Sequence, residues 1–158
     1  MASPTVTNKN QEYIIFSLHG HGLAVDLTKV EEIILPVDVK PFPMSPRPVK
    51  GVFKCRDAIY TLIDLSFFLN IKAIHTGNAN EPRIIVLKSH ETTVGITVDQ
   101  INEIKTALKD DSPLSEEDSL NPQLFPEQIK TDSASIPVLD VEQLVASLKV
   151  EAEKLSEF

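Results

Sequence analysis

"YIIFSLHGHGLAVDL", Tyr13–Leu27, is the stretch from which the fold is read. Tyr13–Leu18 and Leu23–Leu27 are rich in β-branched and aromatic residues, and the Gly-bearing "HGHG" between them is short enough for a tight turn. Two such runs around a turn of this kind read as a β-hairpin. A second pair follows the same logic, with Arg83–Lys88 ("RIIVLK") and Thr92–Val98 ("TTVGITV") joined through "KSHE". Between the pairs, Lys29–Leu35 reads as a helical turn leading into a strand that Pro36 stops. Five of the eleven prolines then lie between Pro36 and Pro48, which makes that segment a stiff extended loop. Val49–Cys55 and Ala58–Leu65 are two further strand candidates hinged near Arg56–Asp57.

Further out the pattern thins. Phe67–Ile71 is a short apolar cluster, Thr76–Pro82 a turn-rich surface loop, and Ile101–Leu108 a less regular apolar rhythm. Lys109–Ser135 is polar, acidic and Pro-containing and reads as a long connection before a last short strand, Ile136–Leu139. The period then changes from two to 3.6. Val141, Leu144, Val145, Leu148, Ala152 and Leu155 recur at helical spacing, with Asp140 as N-cap and Gln143 as its capping-box partner. Many short strands with one helix at the end argue for an all-β barrel or sandwich. No clear internal repeat stands out. Met1–Gln11 reads as a mobile arm.

Composition narrows the function classes. Of the 158 residues only Cys55 is a cysteine, so no internal disulfide forms, and no apolar run reaches the roughly 18 residues of a spanning helix. With no signal-peptide pattern at the N-terminus, the chain reads as soluble and cytoplasmic. The net charge of −8 is uneven: residues 1–108 carry 11 basic and 11 acidic side chains, whereas residues 109–158 carry 4 basic and 12 acidic. Nothing in the chain supplies the basic face that nucleic-acid binding needs, and the acidic third repels an anionic membrane surface.

Candidate chemistry is sparse. Cys55 beside Arg56 invites a lowered thiol pKa, but strand alternation puts Cys55 on the face of Phe53, towards the core, where a thiol is inert. His19 and His21 flank Gly20, yet a zinc site wants three or four ligands and no cluster completes the set. The carboxylate pairs Glu31–Glu32, Asp110–Asp111 and Glu116–Glu117 are adjacent in sequence and so point apart. Five glycines fit no phosphate loop, and Gly51 and Gly95, each inside a strand-like run, mark a bulge, a barrel bend or a close approach of another backbone. No cofactor or metal is expected. A thiol-dependent or metal-assisted enzyme using Cys55 with a histidine is the alternative class; a binding module fits the residues better.

The order of segments resembles the CheW-like domain of bacterial chemosensory systems over roughly Tyr13–Val150. The resemblance is carried by Lys29-Val30-x-Glu32-Ile33, Gly51-Val52, Arg56, Ile63-Asp64-Leu65 and Gly95-x-x-Val98-Asp99. It implies two five-stranded SH3-like β-barrels sharing a core in one domain (residues 12–150), after an N-terminal arm (1–11) and with a C-terminal amphipathic α-helix (140–158). It also implies a non-catalytic adaptor that couples the cytoplasmic tip of a methyl-accepting chemoreceptor to the regulatory domain of a CheA-type histidine kinase. A receptor helix would lie in the groove between barrels, and the kinase domain would dock barrel to barrel. By position, Val30, Glu32, Gly51, Arg56 and Gly95 match residues tied to partner binding, with Asp57 beside Arg56 completing the candidate set. Arg56 and Glu32 are expected to form an ion pair.

The chain departs from the family's pattern in several places. Lys54-Cys55-Arg56-Asp57 stands where the family usually reads Asn-Leu-Arg-Gly, so Asp57 replaces a glycine that eases the turn. Thr61 and Ser66 replace a usual Pro and Arg, and the segment before "IPVLD" is shortened. The fold should survive these changes while the partner surface is altered, as in a divergent scaffold that keeps one partner or serves another output such as pilus motility.

Overall fold

The computed structural model describes residues 11–69, 81–110, 121–132 and 134–156. The expected arm at residues 1–10, most of the Thr76–Pro82 loop and the last two residues lie outside them. Eleven strands and one α-helix follow in order: β1 (Gln11–Leu18), β2 (His21–Asp26), β3 (Val30–Ile34), β4 (Val49–Cys55), β5 (Ala58–Ile63), β6 (Arg83–Lys88), β7 (Thr93–Val98), β8 (Gln100–Ala107), β9 (Lys109–Asp110), β10 (Glu127–Lys130), β11 (Ser135–Leu139) and α1 (Val141–Ser156). β1 therefore begins at Gln11, the residue expected to end the arm. The β1–β2 turn has two central residues, His19 at φ 52° and Gly20 at φ 84°. Positive φ at both positions is what a type I′ hairpin turn demands. His19 tolerates it because its N–H donates to Asp99 Oδ2 at 2.8 Å.

The strands form two sheets, ordered β8-β1-β2-β11-β10-β9 and β3-β6-β7-β5-β4. The first has six segments, but β8 and β9 are one strand bent at Leu108, so its two edges belong to the same stretch of chain and the sheet closes as a five-stranded barrel. The second closes through a bridge between Lys40, downstream of β3, and Val52 of β4, with both N–H···O distances at 2.9 Å. Closure removes the open edges that would otherwise invite pairing with other chains.

The two orders are the same. Replacing β8, β1, β2, β11, β10 and β9 by β3, β6, β7, β5, β4 and Lys40 reproduces every pairing, including the parallel pairs β2–β11 and β5–β7. Each half of the chain is thus a hairpin followed by a three-strand unit. The halves exchange: the first barrel takes the first hairpin and the second half's strands, and the second barrel takes the reverse. The strands do fall into two groups around the 76–82 loop, but those groups are not the barrels. An internal repeat becomes visible once the topology is known, in Gly22-Leu-Ala-Val25-Asp26 against Gly95-Ile-Thr-Val98-Asp99 and Leu62-Ile-Asp64-Leu65 against Val138-Leu-Asp140-Val141.

Packing follows from the exchange. In β1, Ile14, Phe16 and Leu18 face a core shared by both barrels, while Tyr13 and Ile15 face the first barrel's interior. In β6, Ile85 and Leu87 face the shared core, while Ile84 and Val86 face the second barrel's interior. Among the described residues the shared core holds 19 buried apolar side chains, against six and five in the barrel interiors. Most of the described buried apolar side chains therefore lie between the barrels and not inside either one. Strands buried on both faces read as continuous apolar runs, which is why "YIIF" and "RIIVLK" do not alternate.

The long connection expected over Lys109–Ser135 is not one. It contains β9 and β10, and Leu124, Phe125 and Ile129 are buried. β10 escapes a periodicity search because Glu127-Gln-Ile-Lys has one apolar residue, and its place comes from pairing with β11 and β9. Other bounds shift at 3-10 turns, Leu27–Lys29 after β2 and Leu65–Phe68 after β5. Asp26 and Asp64 cap these turns by accepting the N–H of Thr28 and Ser66.

Asp140 is the third such cap, accepting the Gln143 N–H at 3.2 Å. The reciprocal bond of a capping box is absent, because the Asp140 N–H donates instead to the Leu124 carbonyl at 2.7 Å. From there α1 buries Val141, Leu144 and Val145 in the shared core, each worth roughly 1.5–3 kcal/mol. Its charges then fix its direction across the β6–β7 turn. Glu142 accepts from the His90 N–H at 3.1 Å and pairs with Lys29 Nζ at 3.1 Å, and Lys149 pairs with Glu91. Partial burial works to raise the Glu142 pKa, but the His90 N–H and the Lys29 ammonium outweigh it and hold the carboxyl below its ordinary value.

Two outcomes follow. Gly51 sits at φ 151°, and a Cβ there would collide with the Lys40 carbonyl at the barrel-closing bridge. Gly51→Ala should therefore cost about 2–3 kcal/mol in urea unfolding; a change below about 0.5 kcal/mol contradicts the strained closure. For Glu142 the folded pKa is the lower one, so its contribution is present above the ordinary glutamate pKa of about 4.3 and is lost as pH falls through the folded value. The stability gap between wild type and Glu142→Gln should be full at pH 6–7 and shrink on the acid side of about pH 4; a gap constant with pH contradicts the assignment.

Candidate functional site

The candidate residues separate into a surface pair, its neighbours and two buried glycines. A bulge in the β3–β6 pairing between Val30 and Glu32 turns β3 from one core to the other. Val30, on its near side, packs against the shared core, and Ile34, on its far side, packs against the second barrel's interior. Glu32 lies between them with its carboxylate partly exposed, opposite the β4–β5 turn.

That turn has two residues, Arg56 and Asp57, between the paired Cys55 and Ala58. The strained position is Arg56, at φ 58°, and not Asp57, which stands in place of the family's glycine. A non-glycine residue in this region costs of the order of 1 kcal/mol and is informative where it persists. Arg56 Nε donates to Glu32 Oε1 at 3.0 Å, with the Arg56 side chain 80% exposed. The expected ion pair is present. At that exposure it contributes no more than about 1 kcal/mol, so it orients a guanidinium that still faces solvent on most of its surface.

Cys55 is buried in the second barrel beside Phe53, Leu62, Ile84 and Val86. Burial first, then the charge of Glu32 and a hydrogen bond to it, push the thiol above its ordinary pKa; the pull of Arg56 is weaker. A neutral buried thiol is a poor nucleophile. Among the described residues no group of three or more His, Cys, Asp and Glu side chains is placed to hold a metal, so His19 and His21 gain no ligand set. No described helix is long and apolar enough to cross a membrane.

Gly51 and Gly95 are both buried. Gly51 is at once a bulge in β4 and a close approach of backbone, through the Lys40 carbonyl. At Gly95 a Cβ would lie 2.7 Å from the Phe53 ring, so this glycine makes room for an aromatic side chain and not for a second backbone. Both shape the second barrel from inside.

Sequence reasoning did not single out the exposed aliphatic residues. Ile33 and Leu35 lie on and just after β3, and Ile104 and Leu108 on and just after β8. β3 and β8 are equivalent strands of the two barrels, so the chain presents two comparable apolar-edged faces. The signal was present, since Glu32-Ile33 and Glu103-Ile104 are matching positions of the repeat, but it is legible only with the topology in hand.

Comparison with known proteins agrees with this architecture. Residues 12–149 match the CheW-like domain. The chain is 24% identical to "Chemotaxis protein CheW" of Treponema pallidum, covering 94% of this chain and 90% of that protein. It is 25% identical to "Chemotaxis protein CheW" of Thermotoga maritima, covering 90% and 92%. In structure it resembles scaffolding protein TtCheW of Thermoanaerobacter tengcongensis, with a TM-score of 0.72 at 20% identity over 89% of this chain and 91% of that one. The two closed barrels, the exchanged halves and a match over nearly the whole chain together place this protein in the CheW-like domain family.

Proposed function

We propose that this chain is a chemotaxis coupling adaptor that docks the regulatory domain of a CheA-type histidine kinase and the cytoplasmic tip of a methyl-accepting chemoreceptor, in the cytoplasm and without a catalytic step of its own. The observation that carries this reading is the pair of equivalent faces, β3 with Ile33 and Leu35 and β8 with Ile104 and Leu108. A coupling protein needs two surfaces held rigidly with respect to one another, and the shared core supplies that rigidity. The Arg56–Glu32 pair, with Asp57 beside it and Val30 anchoring the strand, adds a charged contact next to the first face. Gly51 and Gly95 support that face by setting the shape of the barrel beneath it. The buried Cys55, its thiol held above the ordinary pKa by burial and by Glu32, favours a scaffold over an enzyme.

One observation favours a narrower reading, a divergent scaffold that keeps a single partner. The turn carries its strain on Arg56, and Asp57 puts a carboxylate where the resemblance leads one to expect a glycine, so its charge departs from the expected pattern. Binding each partner separately distinguishes the two. Arg56→Glu should leave the fold intact, because the pair is exposed, and should weaken binding of the kinase regulatory domain or the receptor fragment by about tenfold or more in calorimetric titration. Unchanged affinities for both partners would remove Arg56 and Glu32 from the docking surface.

A further inference from the structure

The first half of the chain, β1–β5, is joined to the second, β6–α1, by a single connection between Leu69 and Glu81. Neither half closes a barrel by itself. β1 and β2 need β8 and β11, and β3 and β5 need β6 and β7, so all four of these pairings cross from one half to the other. Polar contacts cross as well. The His19 N–H donates to Asp99 Oδ2 at 2.8 Å, Asn102 Nδ2 donates to Ser17 Oγ at 2.9 Å, and Lys29 pairs with Glu142 at 3.1 Å. Of the 19 buried apolar side chains of the shared core, eight come from the first half and eleven from the second. A half left alone exposes its share of that core and an unpaired edge on each of its crossing strands.

Each half is therefore the complement of the other, and none of these contacts requires that both belong to one chain. The second half of another copy offers the same edges and the same side chains. Residues 70–80 alone decide between the two arrangements. The steps from Leu69 to Glu81 span roughly 40 Å when extended, about the diameter of a small domain. Within one chain the connection keeps the complement close, which favours the monomer at low concentration; at high concentration a second copy competes. Swapping a terminal strand or helix needs only local opening. Here every barrel mixes both halves, so crossing requires both barrels and the shared core to open. Either arrangement, once formed, is trapped until the molecule unfolds.

We propose that this chain forms a closed, two-fold dimer in which the first half of each copy completes its two barrels with the second half of the other. The partner is a second copy of this chain, and the surface that binds it is the set of strand edges and core side chains at which the halves meet. In that dimer the β3 face and the β8 face of any one barrel pair belong to different copies. On the coupling reading given above, the dimer presents each docking face twice; the exchange itself does not rest on that reading.

Refolding of the full chain tests it. Unlabelled chain and ¹⁵N-labelled chain, each with a specific protease site inserted after Thr76, are mixed in equal amounts in urea and refolded at about 1 mM and at about 5 µM. The concentrated sample should contain a soluble dimer that survives about a hundredfold dilution in native buffer, and the dilute sample should contain monomer. Native mass spectrometry after cleavage should show the dimer falling to monomer-sized particles, about half of them joining a labelled half to an unlabelled one. Cleaved monomer should show no mixed particles. Absence of a soluble dimer at the higher concentration overturns the proposal. So does a dimer that dissociates on dilution, or one that stays dimeric after cleavage with the halves of each copy together, since both mark surface association between intact copies.

Discussion

The structure depends on burying both faces of two hairpins at once. β1–β2 and β6–β7 each send alternate side chains into a barrel interior and into the core between the barrels. An ordinary surface hairpin needs only one apolar face, and these need two. That requirement explains the exchange of halves. A hairpin that closes one barrel while its other face packs against the opposite hairpin cannot leave without opening a barrel and exposing the shared core. The dominant energetic term therefore sits between the barrels, not within them, and the helix adds to it by placing three more apolar side chains there.

Function follows from that rigidity. An adaptor transmits position, so its faces must keep a fixed relation while partners pull on them. β3 and β8, the strands with the exposed aliphatic residues, each pair directly with a hairpin strand of the shared core. The local devices are weaker and serve direction. The β3 bulge sets Glu32 at the margin of the second barrel beside the buried Cys55, the positive φ at Arg56 brings the guanidinium across to the Glu32 carboxylate, and Glu142 ties the helix to the β6–β7 turn. Each is worth little beside the core and acts by orienting the groups it joins.

Much of this was legible in the residues, for identifiable reasons. The aliphatic runs at Tyr13 and Arg83, the two-residue His-Gly turn and the 3.6 period from Val141 are local signals, and they placed both central hairpins and the helix. The ion pair of Arg56 with Glu32 came from family resemblance, since 24 residues separate the partners and no local rule joins them. Strand exchange is likewise non-local: nothing in β3 says that it will pair with β6. β10 was lost because one apolar residue in four has no period. The repeat was lost because only its shortest parts, the Gly-x-x-Val-Asp and x-Asp-x junctions, persist where backbone geometry and capping demand them. The strain at Arg56 had no signature, because Arg is not a residue that announces a positive φ.

The central claim is that the barrels are one cooperative unit joined through the shared core. Native-state hydrogen exchange across a series of low denaturant concentrations tests it most directly. The most protected amides of β1–β2 and of β6–β7 should exchange with the same free energy and the same denaturant dependence, which means that both open only in global unfolding. If one hairpin's amides exchange through a separate opening, at lower free energy and with a smaller denaturant dependence, then the barrels are independent modules and the shared core does not bind them into one unit.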